Sequence, residues 1–166
     1  LDHEEACQLL LDNGADVDLA NRRGQTPLML ASACGNHPTV KLLLQHNANV
    51  NLRDNKGRSA LHSAAACSQH TIVEELLRRG AEPNVPDADG MTPTLEACLA
   101  GHELTLVPLL ERGGNAFLKN NAGEDGPALA ADAPRILALL EKATRPSSLS
   151  QLLAAMKLER LEAKFR

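Results

Sequence analysis

The 166-residue sequence contains no tryptophan, no tyrosine and only two phenylalanines. A hydrophobic core must therefore consist of Leu, Val and Ala, and hardly any aromatic side chain is left on which nucleic-acid bases could stack. The net charge of −4 also disfavours nucleic acid as a partner. No apolar run approaches the roughly 18 residues of a membrane span. These absences predict a protein that binds neither nucleic acid nor a membrane.

Motifs of common catalytic sites are also missing. The sequence has no Gly-x-Ser-x-Gly, no P-loop and no His-Glu-x-x-His. Glu96 and Glu103 come nearest to a pair of carboxylates, and we expect Glu96 to be solvated or hydrogen-bonded in a structural role. The sequence therefore predicts a protein without catalytic activity and without a cofactor.

What the sequence does contain is a repeat of 33 residues. Residues 21–28 (NRRGQTPL) return as residues 54–61 (DNKGRSAL) and again as residues 87–94 (DADGMTPT). A period of about 20–50 residues is typical of a solenoid, in which each unit buries its apolar face against its neighbour. Such a stack presents a long grooved surface to another macromolecule and seldom a closed pocket for chemistry.

Each repeat is predicted to consist of a tip, two helices and a return loop. A glycine recurs in the tip where a turn needs positive φ, at Gly24, Gly57, Gly90 and Gly123. A hydroxyl that can cap the first helix follows at Thr26, Ser59 and Thr92, with proline next at Pro27 and Pro93. The second helix should end in a left-handed residue at Asn47, Gly80 and Gly113.

These residues resemble a known family. The pattern Gly-x-Thr-Pro-Leu-(His/Met)-x-Ala, followed by Leu-Leu-x-x-(Gly/Asn)-Ala-(Asp/Asn)-Val-(Asp/Asn), is similar to the ankyrin repeat. Residues 24–31 with 43–51, and 57–64 with 76–84, are the best instances. The resemblance implies an all-α ankyrin-repeat solenoid, built from helix-turn-helix pairs with short β-hairpin tips and followed by a C-terminal helical tail.

The repeat register predicts the domain organisation. The ankyrin repeats should cover residues 1–143, as a half repeat (1–20), three full repeats (21–53, 54–86 and 87–119) and a shortened cap repeat (120–143). A first helix should precede residue 1, and a linker (144–148) should lead to a helical segment (149–166). Residues 152–165 resemble the opening helices of a sterile alpha motif (SAM) domain, as in ankyrin–SAM scaffolds. An amphipathic helix folded back on the last repeat is the alternative.

The resemblance also implies where a partner binds, because ankyrin partners usually lie in the concave groove between the tips and the first helices. The predicted contact residues are Arg22, Arg23, Gln25, Arg53, Asn55, Lys56, Arg58, Asp89, Met91 and Leu99. Ala33, Cys34, Ala66, Cys67 and Ala100 would complete the groove wall. The first two tips are basic and the third is acidic or apolar, which favours a peptide with acidic residues at one end and a hydrophobic or basic other end. The alternative is that these basic side chains only solvate the surface.

The cysteines and histidines allow further predictions. Cys34 and Cys67 lie one repeat apart, about 10 Å if neighbouring helices stack, which is too far for a disulfide. This spacing favours a reducing compartment, the cytoplasm or the nucleus. Together with His37 and His70 they have the residue types of a zinc site, but the distance between repeats should prevent a shared ion. For His62, the resemblance to the ankyrin family implies a hydrogen-bonded structural role, with a catalytic role as the alternative.

The sequence therefore predicts a non-catalytic protein–protein interaction module of a scaffold or adaptor. A regulatory domain of a larger enzyme, with its catalytic part outside these residues, is the alternative. The sequence predicts no oligomeric state. Pro108 lies within a predicted second helix, and we expect a bend or a missing hydrogen bond between Leu104 and Pro108.

Overall fold

The structure is a computed structural model that describes residues 3–144. The backbone forms nine α-helices in this range. They are α1 (His3–Asp12), α2 (Pro27–Cys34), α3 (His37–Gln45), α4 (Ala60–Ala66), α5 (His70–Arg78), α6 (Pro93–Leu99), α7 (Glu103–Glu111), α8 (Gly126–Leu129) and α9 (Pro134–Thr144). The predicted helical segment at residues 149–166 and the linker beyond Thr144 lie outside the described residues.

The helices form two parallel layers. The first helices of successive repeats, α2, α4, α6 and α8, pack side by side in one layer. The second helices, α1, α3, α5, α7 and α9, pack in the other. The result is the all-α solenoid that the 33-residue period predicts.

Local sequence explains where the helices begin and end. The hydroxyl of Thr26 accepts a hydrogen bond from the backbone N–H of Met29 (3.4 Å), and Thr92 caps α6 in the same way through Leu95 (3.2 Å). The second helices end before residues with positive φ, among them Asn47 at 62°. The predicted caps at these positions are confirmed, including asparagine in the place that glycine takes elsewhere.

The core runs between the two layers and consists of aliphatic side chains, as the lack of aromatic residues requires. Leucines at equivalent positions are almost fully buried, for example Leu43, Leu76 and Leu109. The layer of first helices contains Ala64 and Ala65, which are also fully buried. These small side chains let the first helices of neighbouring repeats approach closely.

The tips differ from the prediction, because no strand forms within residues 3–144. Each tip is a turn, and neighbouring tips share a backbone hydrogen bond rather than a ladder: the N–H of Asn55 donates to the carbonyl of Arg23 (3.0 Å). Gly24 has φ +76°, and a Cβ there would lie 2.8 Å from the nitrogen of Asn55. The expected β-hairpins are therefore wrong, and the tips are tightly stacked turns.

The last two repeats contain the irregular positions. Helix α7 continues through Pro108 to Glu111, so the proline does not end it, although its ring nitrogen cannot donate a hydrogen bond to Leu104. In the last repeat, α8 has only four residues, with Asp125 capping it through the N–H of Ala128 (3.1 Å).

Among the described helices, none is long and apolar enough to cross a membrane.

Candidate functional site: a groove beside the first two tips

An open groove lies beside the tips of the first two full repeats. Its volume is about 700 Å³. It lies between these tips and the first helices α2 and α4, on the side of the solenoid where the sequence predicts partner binding. Its lining consists of Arg22, Arg23, Gln25, Ala33, Asp54, Asn55, Lys56, Arg58, Ser63, Ala66 and Cys67.

The groove brings together a majority of the residues that the sequence predicts for the site. Six of the ten predicted contact residues line it: Arg22, Arg23, Gln25, Asn55, Lys56 and Arg58. The predicted wall residues Ala33, Ala66 and Cys67 also line it. Asp89 and Leu99 are exposed farther along the stack. They belong to the third full repeat and lie outside this groove.

Three of the lining cations have no acidic partner among the residues that the structure describes. Arg22, Arg23 and Lys56 are exposed, and none forms a salt bridge within the part of the chain that the structure describes. Asp54 is the acidic residue of the lining, and its Oδ1 accepts hydrogen bonds from the backbone N–H groups of Lys56 and Arg58 (2.9 Å each). The groove therefore has an excess of positive charge.

Arg58 differs from these three because it is paired. Its Nη2 lies 2.9 Å from Oε1 of Glu96, whose side chain is only 12% exposed. Burial raises the pKa of Glu96 above its ordinary value, and the charge of Arg58 acts in the opposite direction. Glu96 therefore has a structural partner, as the sequence predicts.

Replacing Arg58 with alanine should lower the free energy of unfolding by about 1–2 kcal/mol, because Glu96 would keep a largely buried carboxylate without its cation. Chemical denaturation at pH 7 measures this loss. The double variant Arg58→Ala with Glu96→Gln should recover part of the stability. An unchanged midpoint for Arg58→Ala would show that the pair contributes nothing.

Two predicted contact residues have other roles. Arg53 donates from Nε to the carbonyl of Gly57 (2.8 Å) and from Nη2 to the carbonyl of Pro86, so its guanidinium connects successive loops. Met91 is only 9% exposed. Its side chain is covered, so the prediction of a surface contact there is wrong.

The family comparison agrees with this geometry. A family model of ankyrin repeats matches residues 1–87 as three copies. The chain belongs to the ankyrin-repeat family. The third full repeat continues the same architecture, since α6 and α7 stack on α4 and α5 as the preceding ankyrin helices do. A search of curated proteins finds no match to this sequence.

His62 connects two ankyrin repeats inside the core. It is fully buried, and its Nδ1 accepts a hydrogen bond from the backbone N–H of Ser59 (3.0 Å). Its Nε2 lies 3.1 Å from the carbonyl oxygen of Met91, which can only accept. The ring is therefore neutral with its proton on Nε2. Burial lowers the pKa of His62, and the predicted structural role is confirmed.

The four cysteines occupy different environments along the ankyrin stack. Cys34 and Cys67 are exposed, Cys7 is half-buried and Cys98 is fully buried, and all four are unpaired. Burial raises the pKa of the Cys98 thiol to about 12. Across residues 3–144, no three His, Cys, Asp or Glu side chains come together in a way that could hold a metal ion.

Sequence reasoning missed the polar residues that shape the tips. Asn21, Asp54, Asp87 and Asn120 recur every 33 residues, and each accepts backbone hydrogen bonds from two residues of its own tip. Their recurrence at the same position of each tip is the sequence feature that indicates this role. Their function is to hold the turn that projects the groove side chains.

Proposed function

We propose that this ankyrin domain is a non-catalytic protein interaction module that binds an acidic segment of a partner protein, as part of a scaffold or adaptor. The observation that supports the proposal most is that one groove contains three cations, Arg22, Arg23 and Lys56, that form no salt bridge within residues 3–144. An acidic peptide would neutralise their charge. The wall, formed by the half-buried Ala33 and Ala66 and the exposed Cys67, would contact its apolar atoms.

The strength of such binding depends on the number of charges that act together. A single exposed ion pair contributes only about 0–1 kcal/mol. Several cations in one groove attract an acidic segment from a distance and speed its association. Salt screens exposed charges over about 8–10 Å near physiological ionic strength, so binding should weaken steeply as salt increases.

Reversing the free cations tests the proposal. The variant Arg22→Glu, Arg23→Glu and Lys56→Glu should bind a fluorescent poly-glutamate peptide at least about tenfold more weakly than the unchanged chain, measured by fluorescence anisotropy at low salt. Its thermal midpoint should change little, since the three side chains are exposed and form no salt bridge within the described residues.

The matched control reverses exposed cations on the layer of second helices. Lys41 in α3 and Arg112 at the end of α7 are exposed and have no ion pair in the described structure. Arg78 is less suitable, because it lies 2.6 Å from Glu75. The variant Lys41→Glu with Arg112→Glu should bind like the unchanged chain. If the control loses binding and the groove variant retains it, the groove is the wrong surface.

We also infer that the protein works in a reducing compartment, the cytoplasm or the nucleus. Its four cysteines are unpaired, and two of them are exposed to solvent. Free exposed thiols persist where glutathione and thioredoxin keep them reduced.

A further inference from the structure

The groove side of the solenoid changes its charge along the stack. Arg23 and Lys56 occupy the same register position in the first two tips, and Asp89 occupies it in the third. The backbone hydrogen bonds between these tips, from Ala88 N–H to the carbonyl of Lys56 (2.8 Å) and from Asn121 N–H to that of Asp89 (3.0 Å), keep the register. The row therefore changes from cationic to anionic after two repeats.

A second register position also ends in an acid, reading Gln25, Arg58, Met91 and Glu124 in the four tips. Arg58 in the second tip corresponds to Glu124 in the fourth. Glu124 is exposed, and its Oε2 accepts a hydrogen bond from the side chain of Asn120 (3.0 Å). Lys119, an exposed cation, lies five residues before Glu124 in the sequence. Counted together with Asp89 and Glu124, it leaves a net negative charge.

The wall of the groove changes in parallel. The position of Ala33 and Ala66, both half-buried in the first two repeats, is occupied by Leu99 in the third. The side chain of Leu99 is 55% exposed at the end of α6. Leu99 therefore offers an exposed apolar side chain in the repeat whose tip contains Asp89.

We propose that the bound segment is bipolar, with acidic residues beside Arg22, Arg23 and Lys56, an apolar side chain on Leu99, and a basic residue beside Asp89 and Glu124. This inference rests on the proposed function, because it extends the same bound peptide by two further repeats. It defines the partner by its charge order rather than by its acidity alone.

The stacking distance determines the spacing within such a peptide. Neighbouring helices lie about 10 Å apart, so Asp89 is about 10 Å from the level of Lys56 and about 20 Å from that of Arg23. An extended chain advances about 3.3 Å per residue. About three to six residues should therefore separate the acidic cluster from the basic residue, with the apolar residue between them.

Three synthetic peptides test the charge order by fluorescence anisotropy on the full chain. The first has an acidic cluster alone. The second adds a spacer of five residues that contains a leucine, followed by two lysines. The third has the same charges with a spacer of one residue. The second peptide should bind the unchanged chain at least about fivefold more tightly than the first, and the third should lose most of this gain.

Variants of the chain show whether Asp89 and Glu124 cause the tighter binding of the second peptide. In Asp89→Lys with Glu124→Lys, the advantage of the second peptide should disappear, while the acidic peptide should bind at least as well as before. The control variant, Glu103→Lys with Glu111→Lys, changes exposed acids on a second helix, α7, and should retain the full advantage.

The outcomes separate this inference from the proposed function. If the acidic peptide binds and the second peptide binds no better, the bipolar partner is rejected and the cationic groove stands. If the advantage survives in Asp89→Lys with Glu124→Lys, the inference is also rejected. If no peptide binds, the cationic groove itself is rejected together with the inference.

Discussion

Replacing His62 with alanine should lower the free energy of unfolding by about 3 kcal/mol. The imidazole is fully buried and bridges the backbone N–H of Ser59 to the carbonyl of Met91 in the next repeat. Its removal leaves two buried backbone groups without their partner, each at a cost of about 1–3 kcal/mol. Urea denaturation followed by circular dichroism measures the change.

The same histidine should make stability depend on pH. Burial lowers the pKa of His62 in the folded chain below the value of about 6.5 that it has when unfolded. Below about pH 6.5 the unfolded chain therefore binds a proton that the folded chain resists, and stability falls as the pH is lowered towards the folded pKa. In His62→Ala this part of the pH dependence should be absent.

His70 provides the control, because it is an exposed histidine at the start of α5. The free energy of unfolding of His70→Ala should lie within about 0.5 kcal/mol of that of the unchanged chain. The stability of this variant should depend on pH as the stability of the unchanged chain does. Equal losses in the two variants, or a small loss in His62→Ala, would contradict the bridging role of His62.

The second large effect concerns the cysteines in the native chain. Cys34 and Cys67 should react rapidly with a thiol reagent, and Cys98 should react at least about 100-fold more slowly. Two physical reasons act together: Cys98 is fully buried, and its pKa of about 12 leaves almost no reactive thiolate at neutral pH. Alkylation followed by peptide mass spectrometry gives the rate at each cysteine.

Denaturation completes the thiol experiment. In urea, all four cysteines should react at similar rates without prior reduction, since each is unpaired in the structure. The variant Cys34→Ser with Cys67→Ser should lose the fast reaction in the native state. Rapid labelling of Cys98 would show that the core opens easily, and an intact mass two units low would contradict a reducing compartment.

Much of this fold is predictable because its rules are local. A hydroxyl before Pro27 or Pro93 starts a helix by accepting a backbone hydrogen bond, and Asn47 or Gly80 ends one by adopting positive φ. The 33-residue period then specifies stacking, since no repeat can bury its apolar face alone. The tips are the exception: the positive φ of Gly24 follows the prediction, but no strand forms beside it, and each tip is held by hydrogen bonds within itself and to its neighbour.

The candidate site is less predictable from sequence. Arg22, Arg53 and Arg58 are all basic residues in or next to a tip, and local sequence does not distinguish their roles. The following repeat does: it offers the carbonyl of Pro86 to Arg53 and the carboxylate of Glu96 to Arg58, while Arg22 meets no acid in the described structure.

The sequence by itself determined the repeat, the helix boundaries and the aliphatic core. Each follows from local sequence features, such as helix caps and apolar spacing, that recur every 33 residues. Only the tertiary structure decided which cations remain free and that Met91 is covered, because both depend on what the adjacent repeat places within a few ångströms. The groove is thus a property of stacked neighbours, and the charges that it offers are those that the neighbours leave unpaired.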